Sequence, residues 1–190
     1  MLPPAARRGP AHLRGVHTRA GNAMNRTRAG LLAGAARAFA EHGVRRSTMQ
    51  SIAAAAGVSK ATLYNHFRTK DDVVAALLAA ELDRLTALAA ALPLYEALAS
   101  LSDELGAHPV LRRLADTEHE VLGQLLTVDG DTWAHLVARL GSALGTDDET
   151  AEIAARWLLG VVLQPGRSTT RHRHAARLAE LLSPPQATTG

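Results

Sequence analysis

Apolar residues along this chain recur at three- and four-residue spacing, and no alternation of apolar and polar residues lasts a strand's length, so the pattern predicts helices. Leu31, Leu32, Ala35, Ala36 and Phe39 mark the buried side of a first helix over 25–42, which Gly43 ends as a left-handed stop. Ser47-Thr48-Met49-Gln50 fits a capping box, with Gln three residues after Ser, and opens a short helix through Ala56. Ile52, Ala53 and Ala56 share one face of it. Gly57 breaks that helix, Val58 follows, and Ser59 caps the next, from Lys60 to about His66. Thr69-Lys70-Asp71-Asp72 starts a long helix, with two acids in the first turn where the helix dipole favours them. Its stripe is Val74, Leu77, Leu78, Leu82, Leu85 and Leu88, and Pro93 closes it.

Further helices are predicted over 94–105, 109–115, 118–127, 132–144, 147–163 and 170–183. Thr117-x-x-Glu120 opens the third of these and Thr146-x-x-Glu149 the fifth, while Asp129-Gly130 is a turn. The fold class is therefore all-α. Composition agrees: hydrophobic residues make up 47% of the chain but aromatics only 3%, so the core rests on Ala, Leu and Val, which suit close-packed helices. At 190 residues there is room for one or two small domains. The expected division is a disordered basic arm over 1–24, a compact helical unit over 25–84, a larger helical unit over 85–183 and a disordered tail over 184–190.

Charge changes the picture. The net value of +3 conceals an asymmetry, because residues 1–70 hold ten Arg and two Lys against Glu41 alone, whereas residues 71–190 hold nine Arg against 17 acids. Without the first 24 residues, 25–70 still carries +7, so one end of the molecule is suited to a polyanion. Arg outnumbers Lys by 19 to 2, and both lysines fall within 60–70. Cysteine is absent, which excludes disulfides, thiolate metal sites and thiol redox sensing. No apolar run approaches a membrane span, and the arm lacks the apolar stretch of a secretory signal, so the expected compartment is a bacterial cytoplasm.

Two short helices joined by a glycine turn, the second polar outside and apolar inside, describe a helix-turn-helix. Small Ala53 lets the pair cross closely, Gly57 supplies a positive φ, and Val58, Leu63 and Phe67 anchor the second helix. Lys60, Ala61, Thr62, Tyr64, Asn65 and His66 are left facing outward. Such residues suit a major groove. Asn65 can pair with adenine, the methyls of Ala61 and Thr62 can meet a thymine methyl, and Lys60 can reach guanine or phosphate. Tyr64 and His66 suit phosphates, as do Thr48 and Lys70 at helix N-termini.

The run from Thr48-Met49-Gln50-Ser51-Ile52-Ala53 through Ala56-Gly57-Val58-Ser59-Lys60-Ala61-Thr62-Leu63-Tyr64-Asn65-His66-Phe67 to Lys70 resembles the DNA-binding domain of the tetracycline-repressor (TetR) family. Every fixed position of the family pattern T-x-x-x-I-A-x-x-A-G-V-S-x-x-T-[LI]-Y-x-H-F-x-x-K is met. The resemblance covers about 25–84 and thins beyond. It implies a homodimer on a palindromic double-stranded DNA operator, usually a repressor released by a small-molecule effector. Gln50 stands where some members carry a base-contacting Arg. The family's last two helices form a four-helix dimer bundle, which maps onto 147–163 and 170–183, with Ile153, Trp157, Gly160, Val161, Gln164, Leu178 and Leu181 as interface candidates. A pocket between helices spanning 94–144 would be lined by Tyr95, Leu98, Leu122, Leu125, Leu126, Trp133 and Leu136, with His108, His119 or His135 as polar points, and would take an apolar or amphipathic molecule.

Two other readings compete. An enzyme finds little support: His119-Glu120-Val121-Leu122-Gly123 misses HExxH at its second ligand, and no GxSxG, P-loop or GxGxxG occurs. His172-x-His174 has no acidic neighbour nearby in sequence, so no metal and no cofactor is expected. The second alternative is a constitutive architectural dimer, or an activator without a ligand, whose C-terminal half only dimerises.

Overall fold

The computed structural model describes residues 14–182. Ten helices follow in order: α1 (Arg14–His42), α2 (Met49–Ala56), α3 (Lys60–Tyr64), α4 (Lys70–Ala90), α5 (Leu94–Ala107), α6 (Pro109–Thr117), α7 (His119–Leu126), α8 (Gly130–Leu144), α9 (Asp148–Leu163) and α10 (Ser168–Leu182). No strand occurs among the described residues, and the all-α expectation holds.

One boundary moves far. The arm expected to be disordered over 1–24 is helical from Arg14 onward, eleven residues before the predicted start at Asn25. The last upstream proline is Pro10, so nothing covalent stops the helix from running back this far. The first thirteen residues of that arm and the predicted tail over 184–190 lie outside the described residues.

Three helix starts are displaced by one residue from the predicted caps. Thr48, not Ser47, caps α2: its Oγ1 accepts from Ser51 N, and Ser51 Oγ accepts from Thr48 N. Ser47 is buried instead and donates to the carbonyls of Ala38 and Gly43. Asp147, not Thr146, caps α9 by accepting from Thr150 N. Glu118, not Thr117, precedes α7, and its side chain does not cap the helix at all. By contrast Thr69 and Asp72 form the capping box of α4, as the sequence suggests.

The buried residues gather in two clusters. The first joins α1, α2, α3 and the start of α4 with Val110 and Leu114 of α6, Leu122 of α7 and Val162 of α9. The second joins Ala89 at the end of α4 with α5, α8, α9 and α10. Helices α6 and α7 thus pack on the N-terminal helices rather than on the far end of the molecule. Gly43 (φ +81°) and Gly57 (φ +69°) end α1 and α2 in the left-handed region that a side chain would penalise. Gly57 N bonds back to the Ala54 carbonyl, and Val58 N reaches the Ala53 carbonyl.

Candidate nucleic-acid interface and an adjoining cavity

Helix α3 is held by its apolar side. Leu63 is fully buried and Phe67 nearly so, and both sit in the cluster with Ile52 and Ala53 of α2. Ser59 caps the helix, its Oγ accepting from Thr62 N and lying 2.8 Å from Thr62 Oγ1. The opposite side carries Lys60, Ala61, Tyr64 and Asn65, all exposed, with Thr62 and His66 half-buried at its edges. Lys60 Nζ lies 5.7 Å from the Tyr64 ring centroid, within cation–π reach. Thr48 and Gln50 are exposed at the start of α2. Because Ser51 completes the capping box, the Gln50 side chain is not needed there.

Of the nine sequence candidates, six are thus exposed and two, Thr62 and His66, are half-buried. Lys70 differs. Its Nζ donates to the carbonyls of Val44 (2.8 Å) and Arg45 (3.2 Å), so it ties the first turn of α4 to the α1–α2 turn. Arg28, which the sequence pattern did not single out, stacks its guanidinium 4.9 Å from the Phe67 ring centroid and adds an exposed cation beside α3. Only the helical spacing of Arg28 from the apolar stripe could have pointed to it.

The α1–α2 turn is also gripped from the other side. The Glu118 carboxylate, buried where α6 meets α7, accepts from Val44 N (3.0 Å) and Arg45 N (3.2 Å). Glu120 pairs with the Arg45 guanidinium. The turn entering the helix-turn-helix is thus anchored both to α4 and to the α6–α7 junction.

Between α4, α6, α8 and α9 lies a cavity of about 410 Å³. Of the sequence candidates, Leu125, Leu126, Trp133, Leu136 and His108 line it. Tyr95, Leu98 and Leu122 do not: Tyr95 points to solvent, while Leu98 and Leu122 are packed in the second and first clusters. His119 and His135 are exposed and also lie off the wall. The cavity extends outside the 94–144 window. The stripe of α4 (Leu77, Leu78, Leu82 and Leu85) faces it, as do Leu158 and Val162 of α9.

At its polar end His108 caps α6, Nδ1 accepting from Leu111 N, which leaves Nε2 to donate to Glu81 Oε1 at 3.1 Å. Burial pushes the Glu81 carboxyl up, but bonds and charge from Arg84 and His108 outweigh it and hold the group below the ordinary carboxylate range.

On the far side, α9 exposes Ile153, Gly160 and Leu163, and α10 exposes Leu181. Gln164, just past α9, is exposed too, and Trp157 and Leu178 are half-buried. Val161 is a correction, since it is 4% exposed and packs inside the chain's own core. Leu163, at 57% exposed, was missed because it is the last residue before the helix ends. His172 is not the isolated residue its sequence neighbours suggest: Nε2 lies 2.6 Å from Asp103 Oδ2, and Arg171 and Ser168 bind the other Asp103 oxygen. This cluster fastens α10 to α5.

The family profile described as bacterial regulatory proteins, tetR family, matches residues 31–77. The HTH-type transcriptional repressor KstR2 of Mycobacterium tuberculosis is 44% identical over 64 residues, 34% of this chain and 32% of that protein. The HTH-type transcriptional regulator TtgR of Pseudomonas putida is 46% identical over 52 residues, 27% of this chain and 25% of that one. The matched stretch thus spans about a third or less of these relatives. Among solved structures, a TetR-family transcriptional regulator of Pectobacterium atrosepticum superposes with a TM-score of 0.56 at 22% identity, covering 85% of this chain and 94% of the other. Salmonella enterica GusR superposes with a TM-score of 0.58 at 21% identity, covering 82% and 93%. These structures share the fold.

Proposed function

We propose that this chain, whose residues 31–77 match the profile of bacterial regulatory proteins of the tetR family, acts as a transcriptional repressor. It binds a palindromic operator as a homodimer through α2 and α3, and a small apolar or amphipathic effector releases it. The single observation that carries this reading is the outward face of α3. Lys60, Ala61, Tyr64 and Asn65 are exposed on a helix whose inward Leu63 is fully buried, so the polar face is free for base edges. The curated relatives over this segment are named as regulators, and KstR2 as a repressor, which supports repression.

Homodimerisation is supported by the apolar surface of α9 and α10, where Ile153, Leu163 and Leu181 are exposed around half-buried Trp157. The cavity favours a ligand-responsive regulator over the constitutive dimer, since a purely architectural protein has no use for a hollow of about 410 Å³. Its coupling to DNA would run through α6 and α7, which line the cavity and hold the α1–α2 turn through Glu118. No described helix is long and apolar enough to cross a membrane.

Selection of bound duplexes from a random DNA pool tests the proposal. The expected product is an inverted repeat whose half-sites are separated by about one helical turn or a multiple of it. Enrichment of no sequence, or of a single unrepeated site, would contradict it.

A further inference from the structure

The cavity wall is chemically lopsided. Among the described residues, its ionisable side chains are Glu81 and His108, which bond to each other, and neither Arg nor Lys lines it. The side-chain donors on the wall are already committed. Thr86 Oγ1 donates to the Leu82 carbonyl, Thr132 Oγ1 to Asp129, Trp133 Nε1 to Glu152, and His108 Nε2 to Glu81. What remains is acceptor capacity, concentrated on the Glu81 carboxylate. Each of its oxygens receives one bond, from His108 or from Arg84, and each has a second lone pair.

A ligand entering this space must therefore bring donors. A carboxylate or phosphate would lose its hydration, find no free counter-ion on the wall, since Arg84 is already paired with Glu81 from outside it, and meet the Glu81 carboxylate oxygens. An ammonium or hydroxyl group on the same body would instead form a hydrogen bond to that carboxylate, charge-assisted in the case of the ammonium. We infer that the cavity takes a molecule with an apolar body and one hydrogen-bond-donating head, amine or alcohol, directed at Glu81, and that it rejects anionic amphiphiles of the same size. This rests on the effector-binding part of the function proposed above and specifies its ligand class.

Three probes of matched length separate the possibilities: decylamine, decanol and decanoate, titrated calorimetrically into the full chain at neutral pH below their aggregation concentrations. Decylamine is expected to bind on the order of tenfold or more tightly than decanoate, with decanol between them. Glu81→Gln is expected to narrow the gap between amine and carboxylate, and Leu126→Trp, which fills the cavity, to weaken all three. Decanoate binding as tightly as decylamine, an unchanged gap in Glu81→Gln, unaffected binding in Leu126→Trp, or no binding of any probe would each overturn the inference. Affinity for duplex DNA is measured on the same preparations without probe. A protein that keeps salt-sensitive DNA binding but shows no preference for the amine fails this inference alone, whereas one that binds no duplex fails the regulatory reading.

Discussion

Where α1 crosses α2 there is no room for a methyl group: a Cβ on Gly34 would stand 2.4 Å from Ala56 Cα. Where α4 passes α6, α8 and α9, about 410 Å³ stays open, with Leu78 and Val128 partly in solvent at its edge. The first region is close-packed, whereas the second leaves space that a molecule could fill. Between them stands Glu118, buried at the α6–α7 junction with its carboxylate on the α1–α2 turn. A dense unit is thus joined to a hollow one through Glu118 and the Arg45–Glu120 pair, and under the proposed function a ligand filling the hollow would act on the α1–α2 turn through these contacts.

Substitutions sharpen this contrast. Leu63→Ala, in the dense region, is expected to cost about 2–5 kcal/mol, whereas Leu136→Ala, on the cavity wall, should cost under about 1 kcal/mol because little packing is lost. Urea denaturation measures both, and equal losses would erase the distinction between the regions. Glu118→Ala removes the acceptor for two backbone N–H groups and is expected to cost about 2 kcal/mol. It should also speed hydrogen exchange at Val44 and Arg45, and unchanged exchange there would break the proposed link.

A smaller effect belongs to acid. Burial pushes the Asp103 carboxyl up, but Ser168, His172 and Arg171 more than offset it and hold it below the ordinary aspartate range. Its contribution is therefore fully present above about pH 4 and is lost as pH falls through the lowered value. Asp103→Asn should flatten the acid limb of the stability curve, and an identical limb would show that α10 is held otherwise. Smallest is Gly160→Ala. The site is open within the subunit and mid-helix, so the monomer should gain about 0.5–1 kcal/mol. Sedimentation of the same variant reports whether the added methyl disturbs a dimer.

The two regions were unequally legible in the sequence. The helix-turn-helix is specified by neighbours a few residues apart, namely Gly57, Ser59 and the 3–4 spacing of apolar residues, so both its helices and their outward face follow from local rules. Cap positions erred where two capping residues adjoin. Between Ser47 and Thr48, or Thr146 and Asp147, the sequence motif favours the first, but burial turns the first inward and leaves the second to cap. The cavity needs contacts between distant segments. Periodicity shows that Leu77, Leu82 and Leu98 all face inward, yet nothing local says that Leu98 meets other side chains while Leu77 and Leu82 meet a void. Lys70 fits phosphate contact by spacing alone, and only the approach of the α1–α2 turn reveals where its Nζ goes.

Most direct is the affinity of the wild-type chain and of Asn65→Ala for a selected duplex and a scrambled one across a series of salt concentrations. Wild-type affinity should fall linearly on logarithmic axes as salt rises, and it should discriminate between the duplexes. Asn65→Ala should keep a similar salt slope and lose about 1–3 kcal/mol of discrimination. Affinity indifferent to salt, or discrimination that survives the loss of Asn65 intact, would contradict the assignment of α3 as the helix that reads DNA.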